Sequence, residues 1–183
     1  MLNDSVHQFI WPTGFACTLI TEKIIVPNSY SIGVHIEPSA QMNIALGFRK
    51  LRYFIDHYLQ NSIFVHKEHP MVPILLELET NLVLFPTDPY DYFVGGILSS
   101  KFISITQKYF NISAITIDSA VGDHIQYCIE EPEDCGLELK GDHWWNIDSI
   151  STGSQDEDSW EGLNINEGPK FEPRIVKGGR SED

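Results

Sequence analysis

The chain has 183 residues, and its 26 acidic and 12 basic side chains give a formal net charge of −14 at pH 7. Hydrophobic residues make up 42% of it, which suffices for one sizeable core and excludes fibrous and wholly disordered classes. The acidity argues against nucleic-acid binding, because Lys and Arg must replace the counterions of the phosphate backbone. We expect no membrane span, since no apolar run approaches the length of about 18 residues that one needs, and no secretory signal.

Composition also suggests an origin and a compartment. The chain has 22 isoleucines but only five alanines, which is typical of an AT-rich genome. A short acidic chain of this kind fits a phage protein, and it fits a small bacterial protein nearly as well. Three cysteines without a secretory signal predict reduced thiols in a cytoplasm.

Charge divides the chain into two parts. Residues 1–117 hold nine acids and seven bases, whereas residues 118–183 hold 17 acids and five bases. The apolar periodicity stops near Glu131, and Gly, Ser, Asp and Glu dominate beyond it. The sequence therefore predicts a globular domain over residues 1–131. Residues 132–183 are predicted to be an acidic, aromatic-bearing tail that is extended or ordered on a partner. We expect a chain ending at Glu131 to fold cooperatively.

The first half of the domain predicts three strands and a helix. Residues 15–20, 24–26 and 30–36 have strand patterns, with a turn at residues 27–29. A helix follows, with Ser39 as its N-cap and an apolar stripe that extends to about Asn61.

The second half predicts two hairpins with a helix between them. Residues 74–79 and 82–85 are predicted as paired strands, and residues 112–118 and 124–130 as two more. The intervening helix has Asp88 at its N-cap and Pro89 at its first position, where the missing N–H costs nothing. Its glycine pair, Gly95 and Gly96, predicts close packing, with backbone approach to a ligand as the alternative.

This order of elements predicts the fold class. Several consecutive strands before each helix argue against a doubly wound parallel sheet. We expect an α+β fold, a two-layer sandwich with a largely antiparallel sheet and two amphipathic helices on one face, followed by an irregular acidic C-terminal tail.

No motif carries a catalytic or cofactor assignment. His66 and His69 lie three residues apart, but Pro70 ends any helix there, so we expect a solvated loop rather than a metal site. Asp118 or Asp123 could orient the imidazole of His124 as a general base, although no nucleophile elbow accompanies these residues. We therefore expect no metal, no cofactor and no enzymatic activity, with a small hydrolase built on that cluster as an alternative.

The tail holds the candidate binding residues. Exposed indoles are costly in water, and Trp is enriched among interface hot spots, so spaced aromatics among carboxylates favour docking on a partner. The alternative, that these residues pack on the domain of the same chain, stays open. The predicted partner-binding residues are Trp144, Trp145, Asp156, Glu157, Asp158, Trp160, Leu163, Ile165 and Phe171.

The domain has one basic cluster, formed by Arg49, Lys50 and Arg52. It is either ordinary surface charge or an acceptor patch for the acidic tail.

These observations favour a non-enzymatic protein-protein interaction factor. It would be a phage accessory, assembly or inhibitor protein that acts through the acidic arm on a protein partner with a basic or apolar groove. We expect it in a bacterial or phage-infected cytoplasm, without direct nucleic-acid or membrane binding. The alternative is a virion component whose arm orders against neighbouring subunits, and the oligomeric state stays open.

Overall fold

A computed structural model describes residues 9–37, 43–154, 158–163 and 165 of the chain. In chain order, the elements of that part are strand β1 (Phe9–Ile20), strand β2 (Ile25–Glu37), helix α1 (Ile44–Phe54, continued by a π-helical turn Ile55–Leu59), strand β3 (Ser62–His66), helix α2 (Val72–Glu77), strand β4 (Leu82–Phe85), helix α3 (Asp91–Thr106), strand β5 (Asn111–Ser119) and strand β6 (Tyr127–Ile129). Two short 3₁₀ turns, Pro132–Cys135 and Trp144–Asn146, follow β6.

The described strands form one six-stranded sheet in the order β4-β3-β1-β2-β5-β6. The β1–β2, β2–β5 and β5–β6 pairs are antiparallel, whereas β3 runs parallel to both β1 and β4. Helices α1 and α3 pack on one face, so the predicted α+β class with a largely antiparallel sheet is confirmed. The predicted alternation in β2 is confirmed as well, since Tyr30, Ile32, Val34 and Ile36 are all buried in the core.

The turn predicted at residues 27–29 is wrong, because Pro27 lies inside a strand. Residues 25–37 form a single strand that passes through Pro27, which pairs with Thr18 of β1. The pairing with β5 starts only at Tyr30, so β2 has a neighbour on one side at Pro27. Because proline cannot donate a ladder hydrogen bond, it is tolerated at such an edge position.

The predicted hairpin over residues 74–85 is wrong. Residues 72–77 form helix α2, which connects the parallel strands β3 and β4, and β3 was not predicted. Pro73 lies in the first turn of α2, where its missing N–H is harmless. A short apolar run has no periodicity that separates a strand from a buried helix, which explains the error.

Helix α2 covers the other face of the sheet. Its Val72 and Leu75 pack with Ile20, Val65 and Leu82 in a second, smaller cluster. These strand residues alternate with the core-facing ones, since Leu19, Phe64 and Val83 belong to the main core. The β4 side of the sheet is therefore covered on both faces.

Helix α3 is buried on nearly every side rather than along one stripe. Val94, Leu98, Phe102 and Ile105, whose spacing in the sequence is that of one helix face, are fully buried. The glycine pair packs closely, as predicted: a Cβ at Gly95 would approach Ile117 of β5, and one at Gly96 would collide with Cys135. Because Cys135 lies beyond β6, α3 is enclosed between the sheet and the segment that follows the sheet.

Candidate binding site

Residues 132–154, which we call the strap, pack on the rest of the described chain. Cys135, Leu139 and Ile150 of the strap are buried in the main core. The folded region therefore extends past the boundary predicted at Glu131. The reason is that the apolar residues of the strap lie in short turns, which have no periodicity to mark them as core.

The strap also carries the first two predicted anchors. Trp144 and Trp145 are only 8% and 5% exposed, and their rings meet edge to face. Each indole N–H is satisfied, because Trp144 Nε1 donates to Leu84 O at 3.0 Å and Trp145 Nε1 to Leu139 O at 3.0 Å. In this conformation both side chains pack on their own chain and present little surface to a partner.

The strap is fixed by one buried ammonium group. Lys101 on α3 is fully buried, and its Nζ donates to Trp144 O (2.7 Å), Ile147 O (3.0 Å) and Ser149 O (2.7 Å). Such charge-assisted bonds are stronger than neutral ones. The Nζ also lies 5.5 Å from the ring centre of Phe54. The interaction holds the strap in a tight arc over α3.

The same strap covers the outer edge of β4. Leu84 N donates to Thr152 O at 2.9 Å, and the hydroxyl groups of Thr152 and Ser154 donate to Leu82 O at 2.6 and 2.8 Å. Together with the Trp144 indole, these bonds occupy backbone groups that an edge strand would otherwise offer to another chain.

The residues of the predicted basic cluster lie in two different places: Lys50 contacts the strap, whereas Arg49 and Arg52 lie beside Trp11. Lys50 lies 3.8 Å from the Asp148 carboxylate of the strap and 4.9 Å from the ring centre of Trp160. Trp160 Nε1 in turn donates to Asp148 Oδ1 at 3.0 Å. Arg52 instead lies over the ring of Trp11, and with Phe48, Arg49 and Trp11 it lines a separate pocket.

The remaining predicted anchors have various positions. Asp158 is exposed, forms a backbone bridge to Ile150 and accepts a 3.4 Å hydrogen bond from Tyr58. Burial, followed by the charge of Asp158, raises the pKa of Tyr58 to about 12. Leu163 packs at the margin of the core, and Ile165 is half-buried. Asp156, Glu157 and Phe171 lie outside the described residues.

A cleft of about 390 Å³ opens at one end of the strands, along the border of the sheet where β1, β3, β4 and β5 reach their C-terminal residues. We call it the edge cleft. Three connections form its walls: the turn after β1, the segment before α3 and the loop between β5 and β6. Its lining residues are Leu19, Thr21, Lys23, Ile24, Pro89, Tyr90, Asp91, Val121, Gly122 and Tyr127.

The rim of the edge cleft is rich in exposed apolar side chains. Ile24, Tyr90 and Val121, which line it, are 45%, 53% and 40% exposed. Ile25, the first residue of β2, and Ile125, in the loop between β5 and β6, do not line the cleft but are also 62% and 57% exposed. This surface was not predicted from the sequence, although isoleucine and valine in polar turns are a signal that could have revealed it.

Asp91 supplies the carboxylate of the edge cleft. Helix α3 begins at this residue, after Tyr90, rather than at the predicted Asp88 cap. Ser119 Oγ donates to Asp91 Oδ2 at 2.7 Å and accepts from Gly122 N at 3.0 Å. A Cβ at Gly122 would collide with the carboxylate, so a larger residue at this position would displace the carboxylate. The start of the helix also favours a negative charge there.

Buried polar groups lie behind Asp91. The Tyr30 hydroxyl and Asn28 Nδ2 are buried without a hydrogen-bond partner among the described residues. Burial raises the pKa of Tyr30 well above its ordinary value, and the nearby charge of Asp91 adds to the effect. Burial, with a further contribution from Asp91, raises the pKa of the Cys17 thiol to about 12.

These surroundings predict the thiol chemistry. Cys17 and Cys135 are buried and their pKa values are raised, whereas Cys128 is exposed. Since the thiolate is the reactive form, we expect a disulfide reagent at pH 8 to titrate one thiol in the native protein and three after denaturation. Fast native reaction of a second thiol, identified by peptide mapping, would contradict this placement.

The predicted Asp/His cluster is only partly assembled. His124 Nδ1 lies 3.3 Å from Asp118 Oδ1, but the imidazole is 74% exposed. Asp123 and His124 both have positive φ, of 54° and 57°, which is typical of a tight turn. No sulfur or hydroxyl of the described residues hydrogen-bonds to this imidazole. The described residues also hold no group of three or more His, Cys, Asp or Glu side chains suited to a metal ion.

Neither a scan against protein-family models nor a search of curated proteins finds a match for this sequence. None of the described helices has the length and apolar character needed to cross a membrane.

Proposed function

We propose that this chain is a non-enzymatic protein-protein interaction factor that binds its partner at the edge cleft. The observation that supports it is the set of large apolar side chains that line this concave site and are 40–53% exposed, namely Ile24, Tyr90 and Val121. Exposed apolar surface around a pocket is characteristic of protein interaction sites.

The acidic C-terminal region has a second role in this proposal. The formal charge of −14 is concentrated after residue 117, and Asp158 is solvent-exposed there. Exposed carboxylates are screened within about 8 Å at physiological salt, so they raise the rate of encounter with a basic partner more than they hold it. A phage accessory, assembly or inhibitor protein that masks a basic surface would combine these two features.

The proposal predicts that cleft substitutions weaken partner binding without unfolding the chain. We expect the double variant Ile24→Ser and Val121→Ser to lose about tenfold or more in affinity, because an apolar anchor at an interface is worth about 1 kcal/mol or more. A photo-crosslinking residue in place of Tyr90 captures the partner in cells of the source organism, and the crosslinked product identifies it. Its affinity is then measured by titration calorimetry.

The control is the double variant Leu76→Ser and Leu78→Ser. These residues are 43% and 66% exposed on and after α2, and they lie outside the edge cleft. Equal losses in both double variants would show that general surface hydrophobicity, and not the cleft, drives binding. A crosslinked product that consists of two copies of this chain would make the partner a second protomer.

A further inference from the structure

We infer that the edge cleft receives a cationic side chain, arginine or lysine, that a partner protein presents between apolar residues. This inference rests on the proposed function and specifies the chemistry of the partner. Three features of the cleft support it: a fixed carboxylate with unused acceptor capacity, two tyrosine rings beside it, and an apolar rim.

The carboxylate is fixed in position but only partly used. Asp91 Oδ2 accepts from Ser119 Oγ, and the Tyr30 hydroxyl behind the carboxylate is a second nearby donor. An ionised carboxylate has about four acceptor positions, so two donors leave part of its acceptor capacity unused. The glycine at position 122 permits close approach of the β5–β6 loop to the carboxylate, and the Ser119 hydroxyl holds the carboxylate by a 2.7 Å hydrogen bond. A bound guanidinium or ammonium group would complete its hydrogen bonds.

Tyr90 and Tyr127 line the same cleft as Asp91. Tyrosine rings attract cations through their negative faces, so aromatic rings beside a carboxylate favour a positively charged ligand over a neutral or anionic one. The apolar side chains of Leu19, Ile24 and Val121 complete the lining and suit the methylene stem of such a ligand.

One cleft residue opposes this assignment and provides a test. Lys23 lines the cleft, but it is exposed and forms no ion pair with Asp91. Its ammonium lies in solvent and repels a cationic ligand weakly, so Lys23→Ala should tighten binding by a factor of about two to three.

The test compares three short peptides on the full chain: Ac-Leu-Arg-Leu-NH₂, Ac-Leu-Nle-Leu-NH₂, in which norleucine replaces arginine with an apolar chain, and Ac-Leu-Glu-Leu-NH₂. Chemical-shift changes of the Val121 and Gly122 amides report binding at the cleft. We expect the arginine peptide to bind about tenfold more tightly than the norleucine peptide, because hydrogen bonds to a charged group and cation–π contacts add to the apolar burial.

The matched variants are Asp91→Asn and Asp123→Asn. Both remove one negative charge, but Asp123 is exposed outside the cleft lining. We expect Asp91→Asn to abolish the preference for arginine and Asp123→Asn to keep it. Equal affinity of the arginine and norleucine peptides for the native chain would overturn the inference while leaving the proposed function in place. Preference for the glutamate peptide would overturn it too, and no shift of the cleft amides with any peptide would overturn both.

Discussion

Lys101→Met is expected to reduce the free energy of unfolding by about 3–5 kcal/mol, because three carbonyl groups of the strap lose their donor and stay in a poorly hydrated place. Domains of this size are typically stable by only about 5–15 kcal/mol, so this single change removes a large share of the total. Methionine matches the length and apolar stem of lysine, so the loss reports the ammonium rather than a cavity. Denaturant unfolding followed by tryptophan fluorescence measures it.

Lys108→Met is the matched control. Lys108 lies just beyond the same helix and pairs with Asp148 at 3.1 Å, but its side chain is 68% exposed. Exposed ion pairs contribute about 0–1 kcal/mol, so this variant should unfold close to the native midpoint. Equal midpoints for the two variants would contradict the role of Lys101 as the group that holds the strap.

The sequence contains a signal for this interaction. Lys101 lies three residues after Leu98 and one before Phe102, so helical spacing already places an ammonium group beside the buried stripe. From the local pattern alone, Lys101 is interpreted only as a positive charge that interacts favourably with the helix dipole near the C-terminal end of α3. A lysine inside an apolar stripe needs acceptors, and the carbonyl groups that supply them lie more than 40 positions later in the chain. Such long-range pairing cannot be deduced from local periodicity.

The sequence predicted correctly those helices and strands whose apolar residues repeat with a regular period over many positions. The alternation in β2 is confirmed, and helix α3 is present although it is buried on nearly every side rather than along one stripe. The failures fall on short or irregular segments. Helix α2 has only six residues, and the apolar residues of the strap lie in 3₁₀ turns and loops, where side-chain spacing has no fixed period. The edge cleft was missed because its lining residues come from three connections that only the sheet topology brings together.

A chain ending at Glu131 is expected to lose its cooperative thermal transition, opposite to the sequence-based expectation. The truncation removes the buried side chains Cys135, Leu139, Trp144, Trp145 and Ile150. Burying one large apolar side chain stabilises a protein by about 1.5–3 kcal/mol, so their joint loss rivals the whole stability of a domain.

Two further costs follow from the same truncation. The Lys101 ammonium loses all three carbonyl acceptors in an otherwise apolar helix, and the outer edge of β4 becomes free to pair with other chains. We therefore expect the truncated chain to aggregate or to show a broad, non-cooperative melting curve by circular dichroism.

A peptide of residues 132–165, added in trans, shows whether the truncated chain loses its cooperative transition because the strap contacts are missing or because the chain has misfolded. If the strap stabilises the domain through the contacts described, the peptide should restore a cooperative transition whose midpoint rises with peptide concentration, because binding to the folded state alone stabilises it by mass action. The same peptide with Trp144→Ala and Trp145→Ala should restore little. A truncated chain that melts cooperatively near the native midpoint without any peptide would show that residues 1–131 fold independently, and the two tryptophans would then be free to leave the domain and bind a partner.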